Sequence, residues 1–114
     1  YFTWDKENFP DPTGMIQRLA AKGHRMVTIV DPHVKKEKGY HISEEMQSRD
    51  WFIKTKSGEV YDGWCWPGTS NYPDFTNSEV RKWWGDQFNP SHYEGSSDWL
   101  YTWNDMNEVS AESV

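Results

Sequence analysis

Cysteine is almost missing from this chain: Cys65 stands alone in 114 residues, so no internal disulfide forms and the redox compartment cannot be read from it. Positive charge is also scarce. Twelve Lys and Arg stand against eighteen Asp and Glu, a formal net charge of -6. Phosphate backbones need a positive face, so a nucleic-acid partner is excluded. The short basic run Lys35, Lys36, Lys38 is broken by Glu37 and reads as a solvated loop. No apolar stretch is long enough to span a bilayer, so no membrane insertion is expected. His24, His33, His41 and His92 are scattered, without the spacing of a metal-ligand pair, and no metal site is expected. There is no Asn-x-Ser/Thr acceptor for glycosylation. The opening Tyr1-Phe2-Thr3-Trp4-Asp5 has neither an initiator Met nor the basic-then-apolar pattern of a secretory signal. Residues 1–114 are therefore expected to be a segment of a larger domain, incomplete at both ends.

What the chain has in abundance is aromatic side chains: eight Trp, six Tyr and five Phe. Such a composition builds an aromatic core, an aromatic-lined site, or both. Flat rings bury much area in cores and interfaces. They also suit sugars, whose C–H faces stack on a ring while the hydroxyls hydrogen-bond at its edge.

Local patterns give an order of elements. Asp11 as cap and Pro12 at the first helical position start a helix over about 12–22, and Gly23 is placed to end it. Met26-Val27-Thr28-Ile29-Val30 is apolar and β-branched without alternation, which predicts a buried strand of a parallel sheet. It ends abruptly in Asp31-Pro32-His33. A charged loop and a short helix near 43–49 follow. Residues 51–56 and 59–64 read as two strands around a Ser57-Gly58 turn. Thr76 and Glu79 form a possible capping box for a helix over 77–88, on which Val80, Trp84 and Phe88 share a face. Trp99-Leu100-Tyr101-Thr102-Trp103 reads as a second buried strand, ending in Asn104-Asp105-Met106-Asn107-Glu108. Helix, strand, hairpin insertion, helix, strand is the grammar of an α/β protein, in which chemistry collects at the C-terminal ends of strands. Two parallel strands cannot close a barrel.

Polar clusters at the two strand ends, Asp31/His33 and Asp105/Glu108, offer the carboxyl groups that glycoside hydrolysis uses in pairs. An Asp after a strand also serves as a plain cap or turn residue. Cys65 between two tryptophans reads as a small buried hydrophobe. Trp83 and Trp84 read as packing, and Asp74 as a tie within its loop.

Trp103-Asn104-Asp105-Met106-Asn107-Glu108 resembles the nucleophile signature of glycoside hydrolase family 31, the retaining α-glucosidases. Gly63-Trp64-Cys65-Trp66-Pro67-Gly68 with Tyr72-Pro73-Asp74-Phe75, and Ile29-Val30-Asp31-Pro32-His33-Val34, resemble the same family in the same order. The resemblance runs from Tyr1 to about Glu108. It implies a partial (β/α)8 TIM barrel: about two parallel strands and two helices, with a β-hairpin insertion. It implies Asp105 as the catalytic nucleophile, with an environment that keeps it ionised. Trp103, Met106, Trp66 and Val34 would line the glucose subsite, and Glu108, Asp31 and His33 would support it. The general acid, and the aspartate that holds the glucose hydroxyls, would lie outside the chain. After Glu108 the sequence departs from the family, with Val109 where Pro is usual. No cofactor is implied. The partners implied are an oligosaccharide, the remainder of the barrel and, from the family members that trim N-glycans in the endoplasmic-reticulum lumen, a regulatory β subunit. Without the resemblance, two other readings stand: a non-catalytic, aromatic-rich carbohydrate-binding module, and an inactive truncated paralogue.

Overall fold

The computed structural model describes residues 1–108. They fold as two compact units: Tyr1–Val30 with Lys82–Asp105, and Asp31–Arg81 with the segment from Met106. No helix among the described residues is long and apolar enough to cross a membrane.

In the first unit, helix α1 spans Pro12–Ala21. Its first turn is capped as the sequence dictates: Asp11 Oδ1 accepts the Gly14 N–H at 2.9 Å, and Pro12 needs no donor there. The helix ends in a Schellman turn. The Gly23 N–H bonds the Ala20 carbonyl and the His24 N–H bonds that of Leu19, with Gly23 at φ +78°. Strands β1 (Met26–Val30) and β5 (Leu100–Asn104) then pair in parallel, Met26 with Leu100 through to Val30 with Asn104. The parallel pairing is as expected, but the burial is not. Of these ten residues only Val30 is buried, and β1 alternates between half-covered and exposed side chains. Val27, Ile29, Tyr101 and Trp103 alternate along paired strands and so share one face, and all four are exposed. Nothing among the described residues covers that face.

The aromatic excess goes largely into the core of this unit. Phe2 is buried and meets Trp84, Phe88 and Tyr93 edge-on, at centroid distances of 5.4, 4.9 and 5.7 Å. Trp4 stacks on Tyr93. Edge-to-face pairs of this kind add to the area that they bury. Trp84 is thus a packing residue, as expected.

The second unit holds helix α2 (His41–Ser48) and a three-stranded antiparallel sheet of β2 (Val34–Lys35), β4 (Gly68–Asn71) and β3 (Gly63–Cys65), in the order β2-β4-β3. The expected Ser57-Gly58 turn is present, with the Thr55 N–H bonding the Glu59 carbonyl and the Tyr61 N–H that of Ile53. Its two arms pair through the isolated bridge of Lys54 with Val60 rather than through a ladder, and Gly63 and Trp64, the end of the expected second strand, belong to β3. The ladder is formed instead by β3 and β4, with Cys65 opposite Gly68 and Trp66-Pro67 at the turn. Phe52, expected in a hairpin strand, bridges Pro73. The basic run is not all loop: Lys35 lies in β2, and Lys36 Nζ reaches Asp62 at 2.7 Å. Val34, Ile42, Met46, Phe52, Cys65, Tyr72 and Val80 are buried.

Helix α3 (Ser78–Asp86) falls within the expected 77–88, but its cap differs. Asn77 Oδ1 accepts the Glu79 N–H at 2.9 Å. Thr76 is committed elsewhere, its N–H and hydroxyl both donating to Asp74 Oδ1. Asp74 ties down its loop as the sequence suggested, and its N–H bonds the Trp51 carbonyl.

Candidate active site

Two strand ends carry the chemistry-bearing residues. The first follows β5. Asp105 is the residue after the last paired position, is half-buried, and donates its N–H to the Val30 carbonyl at 3.4 Å. That bond extends the β1–β5 ladder by one residue and fixes where the Asp105 side chain leaves the strand. Trp103, two residues earlier, is 58% exposed. Met106, the next residue, has φ +55°, a left-handed conformation that a long side chain rarely adopts. Backbone strain of this sort costs about 1–3 kcal/mol and concentrates at functional sites. Glu108 lies exposed on the turn beyond.

The second strand end follows β1. Asp31 and His33 are each 1% exposed, and His33 Nε2 is 3.8 Å from Asp31 Oδ2, too far for a hydrogen bond. Trp66 sits at the β3–β4 turn with its ring out, yet its Nε1 donates to Asp31 Oδ2 at 2.9 Å. The His33 ring stands edge-on to Trp66 (6.1 Å) and to Tyr72 (6.3 Å). Burial holds the His33 pKa below the ordinary histidine value, and the nearby Asp31 opposes this only in part. The imidazole is therefore neutral at physiological pH. Beneath the turn, Cys65 Sγ and the Tyr72 hydroxyl lie 3.1 Å apart, and burial together with the Cys65 contact raises the Tyr72 pKa strongly.

The structure brings Asp31, His33 and Trp66 into one cluster. Trp103, Asp105 and Met106 lie within four residues of sequence at the end of β5. Val34 fits its expected role less well. It is fully buried in β2, opposite Asn71, and its side chain offers no surface to a ligand. Sequence reasoning missed the Asp31–Trp66 bond and the Cys65–Tyr72 contact. The first joins residues 35 positions apart, and no local pattern announces such a pair. No group of three or more His, Cys, Asp or Glu that could hold a metal occurs among the described residues.

A carboxyl group at the end of a parallel strand, beside an exposed indole and a strained backbone, is an arrangement suited to work on a sugar. The family model of the glycosyl hydrolases family 31 TIM-barrel domain matches residues 1–113. The chain belongs to glycoside hydrolase family 31. The small parallel sheet, three helices and antiparallel hairpin are accordingly part of that family's barrel. The chain is 56% identical, over 110 residues, to the neutral alpha-glucosidase AB of Dictyostelium discoideum, covering 96% of this chain and 12% of that protein. It is 51% identical to a probable glucan 1,3-alpha-glucosidase of Oryza sativa subsp. japonica, with the same coverage. Among solved structures it superposes, with a TM-score of 0.91 and 45% identity, on a heterodimeric complex of ER glucosidase II. That complex consists of the catalytic subunit and the binding domain of the regulatory subunit. The match covers 97% of this chain and 12% of the other. The chain thus spans about an eighth of the relatives that it matches.

Proposed function

We propose that this chain is a segment of a retaining α-glucosidase that releases terminal α-linked glucose from oligosaccharides, with Asp105 as its nucleophile. The observation that carries the reading is the position of Asp105. It is half-buried, directly after the last paired residue of β5, within Trp103-Asn104-Asp105-Met106-Asn107-Glu108. In the reaction the Asp105 carboxylate attacks the anomeric carbon as a general acid protonates the departing oxygen. Water then hydrolyses the glycosyl ester, and two inversions give retention. Trp103 and Met106 flank the glucose, Trp66 offers a flat apolar face, and Glu108, Asp31 and His33 hold their neighbours. The chemistry is proton transfer and displacement at an acetal carbon, and no cofactor enters it. The general acid belongs to a part of the enzyme outside these 114 residues.

The likeness to glucosidase II supports N-glycan trimming in the endoplasmic-reticulum lumen, with a regulatory subunit and the rest of the barrel as partners. The test is hydrolysis of a fluorogenic α-glucoside by the full-length parent and its Asp105→Asn variant. The variant is expected to lose turnover by roughly 10³-fold or more, with substrate binding retained. The isolated chain is expected to show none, because assisted departure of the leaving group alone is worth about 10²–10⁴-fold. Undiminished turnover in Asp105→Asn removes Asp105 from the mechanism. Sugar binding by a parent with no turnover at all favours a binding module instead.

A further inference from the structure

Trp66 is 67% exposed, the most of any large apolar side chain among the described residues. A ring so exposed, at a two-residue turn, ordinarily samples several rotamers, and ordering it on binding costs affinity. Here the indole is anchored. Its Nε1 donates at 2.9 Å to Asp31 Oδ2, and the His33 ring stands edge-on beside it. Both supports are 1% exposed, so the anchor is shielded from competing water although the ring is not. The hydrogen bond also occupies the indole's only polar atom. What remains towards solvent is an unbroken apolar π face of fixed orientation.

The arrangement is a poor device for stability. Among the described residues Trp66 buries little area, while a carboxyl group has been taken out of water to hold it, which is unfavourable by itself. Holding an exposed ring still is useful where something must stack on it, and the C–H face of a pyranose is such a partner.

Resting on the α-glucosidase reading above, we propose that Asp31 is a positioning residue. Its buried carboxyl group locks the Trp66 indole as a rigid stacking platform for the sugar ring of the substrate, and Asp31 acts on the substrate only through that ring.

The test uses the full-length parent with a fluorogenic α-glucoside, comparing wild type, Asp31→Asn, Asp31→Ala, Trp66→Phe and the Asp31→Ala/Trp66→Phe double variant. Freeing one side chain that binding must then immobilise is expected to raise KM roughly three- to ten-fold, with kcat within about two-fold of wild type. Asp31→Ala and Trp66→Phe should each show this shift, and the double variant should be no worse than the worse single one, because both changes break one link. Asp31→Asn, whose side-chain oxygen still accepts the indole N–H, should stay near wild type. Should Asp31→Ala fail to fold, Asp31→Leu, which removes the acceptor without opening a cavity, replaces it in every comparison. The proposal is overturned if loss of the acceptor leaves KM unchanged, if it lowers kcat alone, or if the two single effects multiply. A wild-type parent without turnover overturns both the activity and this role, whereas normal wild-type kinetics with an unchanged KM in Asp31→Ala overturns this role alone.

Discussion

Met106 and His33 show how single residues can be set against their own preferences. Met106 holds φ +55° directly after Asp105. Glycine adopts that conformation without penalty, so Met106→Gly is expected to leave stability unchanged or raise it by up to about 1 kcal/mol. The same change should lower kcat/KM of the parent if, as proposed, the Met106 side chain flanks the sugar. Denaturant midpoints set beside kinetics would reveal the divergence; a parallel fall in both would mean that Met106 merely packs. His33 gives a pH effect. Burial depresses its folded-state pKa, so below the ordinary value of about 6.5 the unfolded chain takes up a proton that the folded chain refuses. Its contribution is complete above that pH and is lost as pH falls towards the depressed value. Urea midpoints should therefore decline from pH 7 to pH 5, and His33→Gln should flatten the decline. At this scale the sequence is most legible where a motif names a residue. Asp105 and Trp66 stand out as letters, whereas the bond from Trp66 to Asp31 does not, because it depends on where a distant turn lands.

Elements form by local rules, and those rules were readable where one side chain decides. Asp11, Pro12 and Gly23 bracket α1 within a residue of expectation. The cap of α3 was misread because Thr76 and Asn77 are both good caps, and Asp74 captures Thr76 first. The Ser57-Gly58 turn formed where expected, with arms that pair only through the Lys54–Val60 bridge, while the β3–β4 hairpin was missed because Trp-Pro turns are weaker signals than Ser-Gly. Both α1 and α2 end in Schellman turns, but α2 places Asp50, at φ +59°, where α1 has Gly23. A paired experiment follows. Asp50→Gly should stabilise by about 0.5–1 kcal/mol, part of the penalty that L-residues bear in this region. The exposed ion pair of Asp50 with Lys54 that it removes contributes little. Gly23→Ala, where an added Cβ meets no atom within 4 Å, should destabilise by roughly 1 kcal/mol through the backbone alone. Equal midpoints for all three proteins would contradict this account of helix termination.

The whole molecule has too few strands for the faces that it presents. Val27, Ile29, Tyr101 and Trp103 form an exposed apolar face on a two-stranded sheet. The sequence made β1 a strand covered on both faces, and within a barrel that composition is consistent. What it could not convey is how much of the covering lies within these residues. Sheets with open edges and exposed apolar faces associate. The isolated chain is therefore expected to bind a hydrophobic dye and to sediment as more than a 13.5 kDa monomer. Replacing Tyr101 and Ile29 by Lys should reduce both effects, and a clean monomer without dye binding would show that the face is covered in solution.

The parallel ladder also sets an order in time. Met26 meets Leu100 across 73 intervening residues, whereas Cys65 meets Gly68 across a two-residue turn. Closing a long loop is entropically dearer and slower than folding a short one. The β3–β4 turn that carries Trp66 therefore forms early. The junction of β1 with β5, and with it the Asp105 N–H to Val30 carbonyl bond, is expected to form after it. The residue proposed to perform the chemistry thus hangs on the pairing that closes the longer stretch of chain.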